Sequence, residues 1–317
     1  MKGMDRHYQV GIITRTKDRP VMLKRALKSV ASQTYKNLVW VIVNDAGERG
    51  FIDDIARDAE SQGISVVVVH QDVNTGGAAA GNRGIETCEA EYLLLHDDDD
   101  TLEPTFLEET IDFLKENGNY CDGVATHTRT IHEIIENDSI RALSVTRGYE
   151  PPYADIINMC WTNLFPPISF LFSRRGWEAA GKFDETLRNY SEDWAFNEKY
   201  MAHYAVGVLP KILANYHVRT AINDPEDIYS NTMTTKTDRH QEYRRRWMDN
   251  IIREDMKNGA ITLGQLTLYG QMFYRVVQIH DVIERNRNIL MLLETIAKIL
   301  HHIYHPFKKA LSFFRKT

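Results

Sequence analysis

Two groups of acidic residues follow short apolar stretches that predict β-strands. Residues 39–43 run into Asn44–Asp45, and residues 92–95 run into His96 and the four aspartates 97–100. If the two strands are parallel neighbours, these carboxylates meet at one edge of a sheet. Charges that close repel one another unless a cation or hydrogen-bond donors lie between them. A Mg²⁺ or Mn²⁺ ion, which prefers oxygen ligands, would relieve the repulsion and also bind a diphosphate.

The aspartate run Asp97–Asp100 has a simpler interpretation as well. Acidic runs are common in solvated surface loops, and four aspartates alone do not indicate a site. The apolar strand immediately before the run favours the functional interpretation, because ligands of parallel sheets bind beyond the carboxyl ends of the strands.

A segment rich in small residues, Asn74 to Gly84, follows the third predicted strand. Small residues let a helix pack close to a sheet or let the backbone approach a ligand. Arg83 would then reach a phosphate or a base, whereas the alternative is a packing helix without ligand contact. The segment is neither a Walker loop nor a dinucleotide-binding fingerprint.

Two further candidates lie later in the chain. Ser191 is placed to cap a predicted helix whose first turn contains Glu192 and Asp193. Acids at this position interact favourably with the helix dipole, and the alternative is that one of them is a general base. A base must be ionised at neutral pH, so a strongly raised pKa of Asp193 would count against that role. His217 lies near a predicted strand end, where a single histidine is more often structural than a metal ligand.

The elements around these residues predict an α/β fold. Strands at residues 10–14, 38–43, 65–69 and 92–95 alternate with segments of helical periodicity, of which residues 20–33 are the clearest. This order indicates a mainly parallel sheet with helices on both faces. After residue 225 only helical periodicity is evident. We therefore predict a catalytic domain at residues 1–225 and a helical region at residues 226–317.

Composition narrows the function classes. The formal charge of −6 argues against a nucleic-acid-binding protein, which normally presents a basic surface. The 3 cysteines are widely spaced, which favours a reducing cytoplasm over a disulfide framework. The sequence shows neither a signal peptide nor an apolar stretch long enough to span a membrane.

Taken together, the motifs resemble the family 2 glycosyltransferases, which have the GT-A (Rossmann-like) fold. The resemblance covers roughly residues 8 to 220 and follows the order of the chain. The matching segments are Thr14–Pro20, Asn44–Asp45, the Gly-rich segment with its Arg-Asn-x-Gly ending, the D-x-D signature within Asp97–Asp100, and Gly181–Glu185 followed by Glu192–Trp194. Ala46–Gly47 departs from the Gly-Ser that the family often has at that place.

The resemblance implies a role for each matching position. The residues expected to bind the nucleotide sugar are Thr14, Arg15, Asp45, Arg83, Asp97 and Asp98. Asp99 would ligate Mn²⁺ or Mg²⁺, with His217 as an additional contact. Asp193 would be the catalytic base, with Glu192 beside it. An acceptor hydroxyl would attack the anomeric carbon and invert its configuration.

The expected reaction moves a sugar from a nucleotide sugar, most often a UDP-sugar, to a saccharide or lipid-linked saccharide in bacterial surface polysaccharide synthesis. The alternatives are a metal-dependent phosphohydrolase or nucleotidyltransferase and a non-catalytic nucleotide-sugar-binding module. The basic and aromatic C-terminal end, residues 300–317, predicts peripheral contact with the inner face of the cell membrane. A helix packing or homo-oligomer interface is the alternative.

Overall fold

The computed structural model describes residues 8–136, 139–219, 227–231 and 235–280, together with residues 282, 291 and 298. The chain divides into two compact units, Met1–Trp247 and Met248–Thr317. The predicted functional division after residue 225 stays a prediction.

A mixed, mainly parallel sheet forms the centre of the first unit. Its strands are β1 (Tyr8–Thr16), β2 (Leu38–Asp45), β3 (Ser65–Gln71), β4 (Ala90–Asp97), β5 (Thr101–Leu102), β6 (Gly123–Glu136), β7 (Ser139–Arg147), β8 (Phe170–Ser173) and β9 (Val206–Val218). The order across the sheet is β3-β2-β1-β4-β8-β6-β9-β5, with β7 paired to β6. Strands β1 to β4 are parallel neighbours, and β8 joins β4 and β6 in antiparallel pairs. All four predicted strands are confirmed.

The helices of the first unit lie between these strands. They are α1 (Pro20–Ala31), α2 (Gly50–Ser61), α3 (Gly77–Thr87), α4 (Phe106–Asn117), α5 (Ile156–Trp161), α6 (Arg174–Ala179) and α7 (Glu192–His203). A longer helix, α8 (Thr237–Lys257), continues into the second unit.

Alternation along the strands explains why both faces of the sheet are covered. Ile12 and Trp40 belong to one apolar core with residues of α1, α2 and α4. Ile13 and Val41 point to the opposite face and pack in a second core with residues of α3, α6 and α7. Side chains of a strand alternate between faces, so a strand buried on both sides reads as a continuous apolar run.

Close packing of α3 on the sheet depends on Gly84. A Cβ atom at this position would lie 2.5 Å from Ile13 Cγ2 and 2.8 Å from Val43 Cγ2. A side chain here would push the helix away from β1 and β2, so the small residues of this segment serve packing as well as any ligand contact.

The described part of the second unit is helical at residues 263–280. Most of its large apolar side chains are more than half exposed, namely Leu268, Tyr269, Met272, Phe273, Tyr274, Val276 and Ile279. Among the described helices, none has the length and apolar character needed to cross a membrane. The predicted membrane-contacting residues 300–317 lie outside the described part of the chain.

Candidate active site

The parallel register of the sheet brings the predicted site residues together. Arg15 of β1 lies opposite Asp97 of β4, and Thr16 lies opposite Asn44 of β2. The ends of these strands open into a cavity of about 620 Å³. Its lining includes Arg15, Arg19, Asp45, Asp97, Asp98, Asp99, Asp100, Asn163, Glu192 and Asp193. The two acidic groups, far apart in the chain, therefore share one cleft.

The aspartate run is a buried turn and not a solvated loop. The amide of Asp100 donates to the carbonyl of Asp97 at 3.1 Å, which closes the turn. Asp98 and Asp100 are each only 2% exposed. Their side chains accept hydrogen bonds from Thr16 Oγ1 at 2.6 Å and from the amide of His217 at 2.8 Å, respectively. Buried carboxylates need such partners, so this turn is a built feature of the fold.

A series of buried hydrogen bonds connects Trp40 to the aspartate turn through Thr14 and His96. These contacts change the role that we predicted for Thr14. Trp40 Nε1 donates to Thr14 Oγ1 at 2.7 Å, and Thr14 Oγ1 lies 2.7 Å from His96 Nδ1. His96 Nε2 lies 3.2 Å from the carbonyl of Asp100. Burial lowers the pKa of His96 to about 4, so the neutral ring accepts at Nδ1 and donates at Nε2. Thr14 is fully buried and positions the turn instead of contacting a nucleoside.

Arginines compensate the charge of the run. Arg19 Nη1 donates to Asp98 Oδ1 at 3.0 Å and approaches Asp99 Oδ2 at 3.4 Å. Arg219, which is fully buried, forms an ion pair with the same Asp99 oxygen. Although burial opposes ionisation of Asp99, the charges of Arg219, Arg19 and Arg25 hold the pKa of its carboxyl well below the usual value. Asp99 is therefore an ionised oxygen donor in a cationic setting.

His217 lies behind Asp99 in a network that the sequence did not reveal. Its Nδ1 contacts Glu133 Oε2 at 2.8 Å and its Nε2 contacts Thr101 Oγ1 at 2.9 Å. Glu133 is 1% exposed and also accepts from Arg25 Nη1 at 2.7 Å. Both ring nitrogens of His217 thus have protein partners in this structure. Its predicted metal contact would require the ring to leave them.

The donor set allows a limited test of the predicted divalent ion. Among the described residues, no group of three or more His, Cys, Asp or Glu side chains is arranged to hold a metal. Mg²⁺, however, usually takes one or two carboxylates and completes its shell with water and substrate phosphates. The Asp97 side chain is 34% exposed and that of Asp99 13%, and both line the cavity. Both carboxylates are ion-paired in this structure, Asp97 with Arg15 and Asp99 with Arg19 and Arg219, so a metal contact at this pair stays a prediction.

Asp45 organises the Gly-rich turn. Its Oδ1 accepts from the amide of Thr75 at 2.8 Å, and its Oδ2 accepts from the amide of Gly76 at 3.0 Å. Gly76 has φ 92°, a left-handed conformation that favours glycine. Asp45 lines the cavity, but its carboxylate already holds the loop that leads into α3.

The structure does not bring Arg83 into the cavity. Its side chain is exposed on α3 and is absent from the cavity lining. The sequence reads Gly81-Asn82-Arg83-Gly84, so the expected Arg-Asn-x-Gly motif has glycine in place of its arginine. Asn82, which matches the motif, is buried and donates to the carbonyl of Phe183 at 2.9 Å. The predicted phosphate or base contact of Arg83 is therefore corrected to a surface position.

Arg15 joins the two acidic groups. Its Nε donates to Asp97 Oδ1 at 2.9 Å, and its Nη1 donates to Glu192 Oε1 at 3.0 Å. The guanidinium crosses closely above the start of α3, since a Cβ atom on Gly77 would lie 2.7 Å from Arg15 Nη1. Arg15 lines the cavity and its donors bind protein carboxylates in this structure, so its nucleotide-sugar contact stays a prediction.

The Glu192–Asp193 pair begins α7 after a strained turn. Ser191 occupies the N-cap position with φ 59°, but its side chain makes no capping bond, so the predicted Ser191 cap is wrong. Left-handed backbone is incompatible with the extended geometry that normally lets a serine cap a helix. Asp193 Oδ2 accepts from Asn163 Nδ2 at 2.8 Å, which fixes the carboxylate toward the cavity.

Both carboxyls of this pair are harder to ionise than usual. Burial raises the pKa of Glu192 to about 7, with the neighbouring Asp193 charge adding to it and Arg15 opposing it. Burial also raises the pKa of Asp193, and the charge of Asp97 adds to the effect, whereas Asn163 and Arg15 oppose it. This direction counts against a base at neutral pH, so the pH dependence of activity is a decisive measurement.

Several residues of the site gave no usable sequence signal. Arg19, Arg25, Glu133, Asn163 and Arg219 act through contacts between distant segments, and each looks ordinary in its local context. Which charged residues are buried, and with which partners, depends on the fold and could not be read from the sequence.

Comparison with known proteins decides the family. The model of glycosyl transferase family 2 matches residues 11–176, which is more than half of the chain. This chain belongs to glycosyl transferase family 2. It is 26% identical over 208 residues to the uncharacterized glycosyltransferase YwdF of Bacillus subtilis (strain 168), covering 64% of this chain and 71% of that protein. It is also 26% identical over 149 residues to YibD of Escherichia coli (strain K12), covering 44% and 42%.

Solved structures confirm the fold of this glycosyltransferase. The S. aureus TarS 1–349 structure in complex with UDP-GlcNAc matches with a TM-score of 0.56 at 19% identity. The match covers 70% of this chain and 61% of the TarS chain. The predicted GT-A fold class, with its mainly parallel sheet and C-terminal helical region, is confirmed.

Proposed function

We propose that this glycosyltransferase moves a sugar from a nucleotide-sugar donor to a hydroxyl group of a saccharide acceptor with inversion at the anomeric carbon. The observation that supports this most is the single cavity shared by Asp97–Asp99 and Asp193, with Arg15 linking its two sides. One side offers the ionised Asp99 carboxylate for a metal diphosphate, and the other offers a carboxyl group positioned by Asn163.

In this proposal Asp193 takes the proton of the acceptor hydroxyl while the oxygen attacks the anomeric carbon. Asn163, which donates to Asp193 Oδ2, holds the carboxylate in place during the transfer. Positioned proton transfer of this kind contributes about 10² to 10⁴ in rate. Asp97 and Asp99 would hold Mg²⁺ or Mn²⁺, which when bound supplies positive charge against the leaving diphosphate.

The donor that we favour is a UDP-sugar. Family 2 enzymes use these most often, and the S. aureus TarS structures include complexes with UDP and UDP-GlcNAc. Asp45 and the Gly-rich turn lie at the end of the cavity formed by β2 and α3, where a nucleoside would fit beside Asp97. GDP- and dTDP-sugars are the competing donors in the test below.

A titration of the purified chain with UDP-, GDP- and dTDP-sugars, with and without Mn²⁺, tests the proposal. We expect metal-dependent binding and slow hydrolysis of one donor, both lost in Asp99→Ala. Release of inorganic phosphate from simple phosphoesters would instead favour a phosphohydrolase. Binding of a donor without hydrolysis or transfer would favour a non-catalytic binding module.

We also propose a peripheral position at the inner face of a bacterial membrane, in the synthesis of a surface polysaccharide. The support is the sequence of residues 300–317, with Lys308, Lys309, Arg315 and Lys316 among three phenylalanines. The exposed apolar side chains of residues 263–280 are a second surface suited to lipid or to a second copy. Deletion of residues 300–317 should abolish pelleting with anionic vesicles, and unchanged pelleting would remove the membrane proposal.

A further inference from the structure

A patch of large apolar side chains lies on and just before α5. Tyr153 is 61% exposed, Ile157 80% and Trp161 76%. Ile157 and Trp161 are four residues apart, so they lie on the same side of this short helix. Single exposed apolar residues are common, but several that lie close together in the chain and include a tryptophan are typical of a binding surface.

The outward position of this patch is enforced by its anchoring. Met159 is fully buried on the opposite side of α5, and its carbonyl accepts from Trp194 Nε1 at 2.6 Å. The Asp155 side chain caps the helix by accepting from the amide of Asn158 at 3.0 Å. With its inner side fixed on α7, the helix can present Ile157 and Trp161 only to solvent.

The patch leads directly into the cleft. Thr162 and Asn163, which follow Trp161, line the cavity. Asn163 donates to Asp193 at 2.8 Å and accepts from Asn197 of α7 at 3.0 Å. A molecule that covers Trp161 therefore lies beside the carboxyl group proposed to activate the acceptor.

The lack of cationic residues in this segment indicates which class of molecule the patch can bind. Residues 148–173 contain no Lys, Arg or His and two acids, Glu150 and Asp155. Anionic lipids and phosphates are held by cations, which this segment does not supply. A neutral sugar ring has an apolar face of C–H groups that packs on an aromatic ring, and its hydroxyls bond to polar side chains such as those of Asn158 and Thr162.

We propose that Tyr153, Ile157 and Trp161 form a platform that binds neutral sugar residues of the acceptor. The inference rests on the proposed transferase function and names the acceptor surface of the same cleft. Truncation of Trp161 should weaken acceptor binding without changing donor binding, because the donor contacts lie on the strand ends across the cavity.

Binding of an array of neutral oligosaccharides of glucose, galactose and N-acetylhexosamines tests the platform. We expect Trp161→Ala to lose at least tenfold in binding of the glycans that the wild type retains, and Trp161→Phe to lose far less. Tyr120→Ala is the matched control, since Tyr120 is also 76% exposed but lies between α4 and β6. Trp40, Trp177 and Trp247 are buried and Trp194 is half-buried, so the difference in iodide quenching between wild type and Trp161→Phe reports the exposed ring. A bound glycan should reduce this quenching.

The same variants are titrated with UDP and Mn²⁺ to separate the two proposals. Glycan binding that depends on Trp161 supports the platform even if no nucleotide binds, in which case only the transferase proposal fails. Normal UDP binding without glycan binding by the wild type would overturn the platform, as would full glycan binding by Trp161→Ala. Trp161-dependent binding to phosphatidylcholine vesicles in place of glycans would overturn the saccharide assignment.

Discussion

The two sides of the cleft place the same chemical group in opposite electrostatic surroundings. Although both sides are buried, Asp99 lies among Arg219, Arg19 and Arg25, and the pKa of its carboxyl is held well below the usual value. Glu192 has Arg15 as its ion-pair partner, and burial raises its pKa to about 7. The carboxyl of Asp193 shifts in the same upward direction.

This difference suggests how one cleft can perform two tasks. A carboxylate that stays ionised across the physiological range suits a metal diphosphate, whose charge must always be matched. A raised pKa makes the Asp193 carboxylate a stronger proton acceptor once it is ionised, but it also lowers the fraction that is ionised at neutral pH. Arg15 contacts both sides, so it is the residue through which the difference can be altered.

The largest effect is expected from removing one carboxylate on each side. Asp193→Asn should lower transfer about a thousandfold with donor binding nearly unchanged, because proton transfer alone is lost. Asp99→Asn should weaken metal-dependent donor binding as well as transfer. Isothermal titration and product assays measure both, with the exposed Glu178→Gln as the control. Equal loss of donor binding in both variants would mean that the two sides do not have separate tasks.

Removing Arg15 should increase the difference in pKa between Asp99 and the Glu192–Asp193 pair. Arg15→Met deletes a charge that lowers the pKa values of Glu192 and Asp193, so both values should rise. Activity of the wild type should fall on the acidic side as the Asp193 carboxyl becomes protonated, and in Arg15→Met this acidic limb should move to higher pH.

We expect Arg15→Met to lower the rate of transfer about 10- to 100-fold at neutral pH. Arg83→Met, which removes an exposed arginine of α3, should change the rate less than twofold. A pH profile of Arg15→Met that overlies that of the wild type would show that Arg15 has only a packing role. A large effect of Arg83→Met would restore its originally predicted ligand contact.

The stability of the fold is expected to depend on pH through His96, whose hydrogen bonds hold the aspartate turn. Burial lowers its pKa from 6.5 to about 4, so the folded state favours the neutral ring. The stabilisation is complete above pH 6.5 and is lost as the pH falls toward 4, by about 2 kcal/mol between pH 7.5 and pH 5.

Urea unfolding at the two pH values measures the free energy of unfolding of the wild type and of His96→Gln. Glutamine does not titrate, so the variant lacks the pH-dependent contribution of His96. The wild type should lose about 2 kcal/mol more than the variant on acidification. His203→Gln, which replaces an exposed histidine, should behave as the wild type. An identical acid response in His96→Gln would assign the pH dependence to other groups.

The smallest effect is expected at Ala46, the residue after Asp45. The family often has Gly-Ser where this chain has Ala46–Gly47. Ala46 has φ 62°, a conformation that costs an alanine about 1 kcal/mol. Ala46→Gly should therefore raise the free energy of unfolding by roughly 0.5 kcal/mol after the entropy of glycine is counted. Ala56→Gly within α2 should lower it, because that alanine is helical. Destabilisation by Ala46→Gly would show that the turn gains more from the methyl group than it loses in strain.

The sequence by itself determined the four parallel strands β1 to β4, helix α1 and the two acidic strand ends. Continuous apolar runs such as residues 38–43 predict strands buried on both faces, and helical spacing predicts α1, because these periodicities depend on local geometry alone. The order of the motifs that contain Asp45, Asp97 and Asp193 could also be recognised in the sequence. The shared position of Asp45 and Asp97 followed from the rule that parallel strands end at one edge, whereas only the fold brought Asp193 into the same cavity.

Only the tertiary structure decided which side chains reach the cavity and in which state of charge. Thr14 points into the core toward Trp40 because β1 and β2 are in register, and Arg83 lies exposed on α3 while Asn82 turns inward. The Arg219 pair with Asp99 joins residues 120 positions apart. Burial and neighbouring charge set each pKa, and both arise from contacts between segments that are distant in the chain.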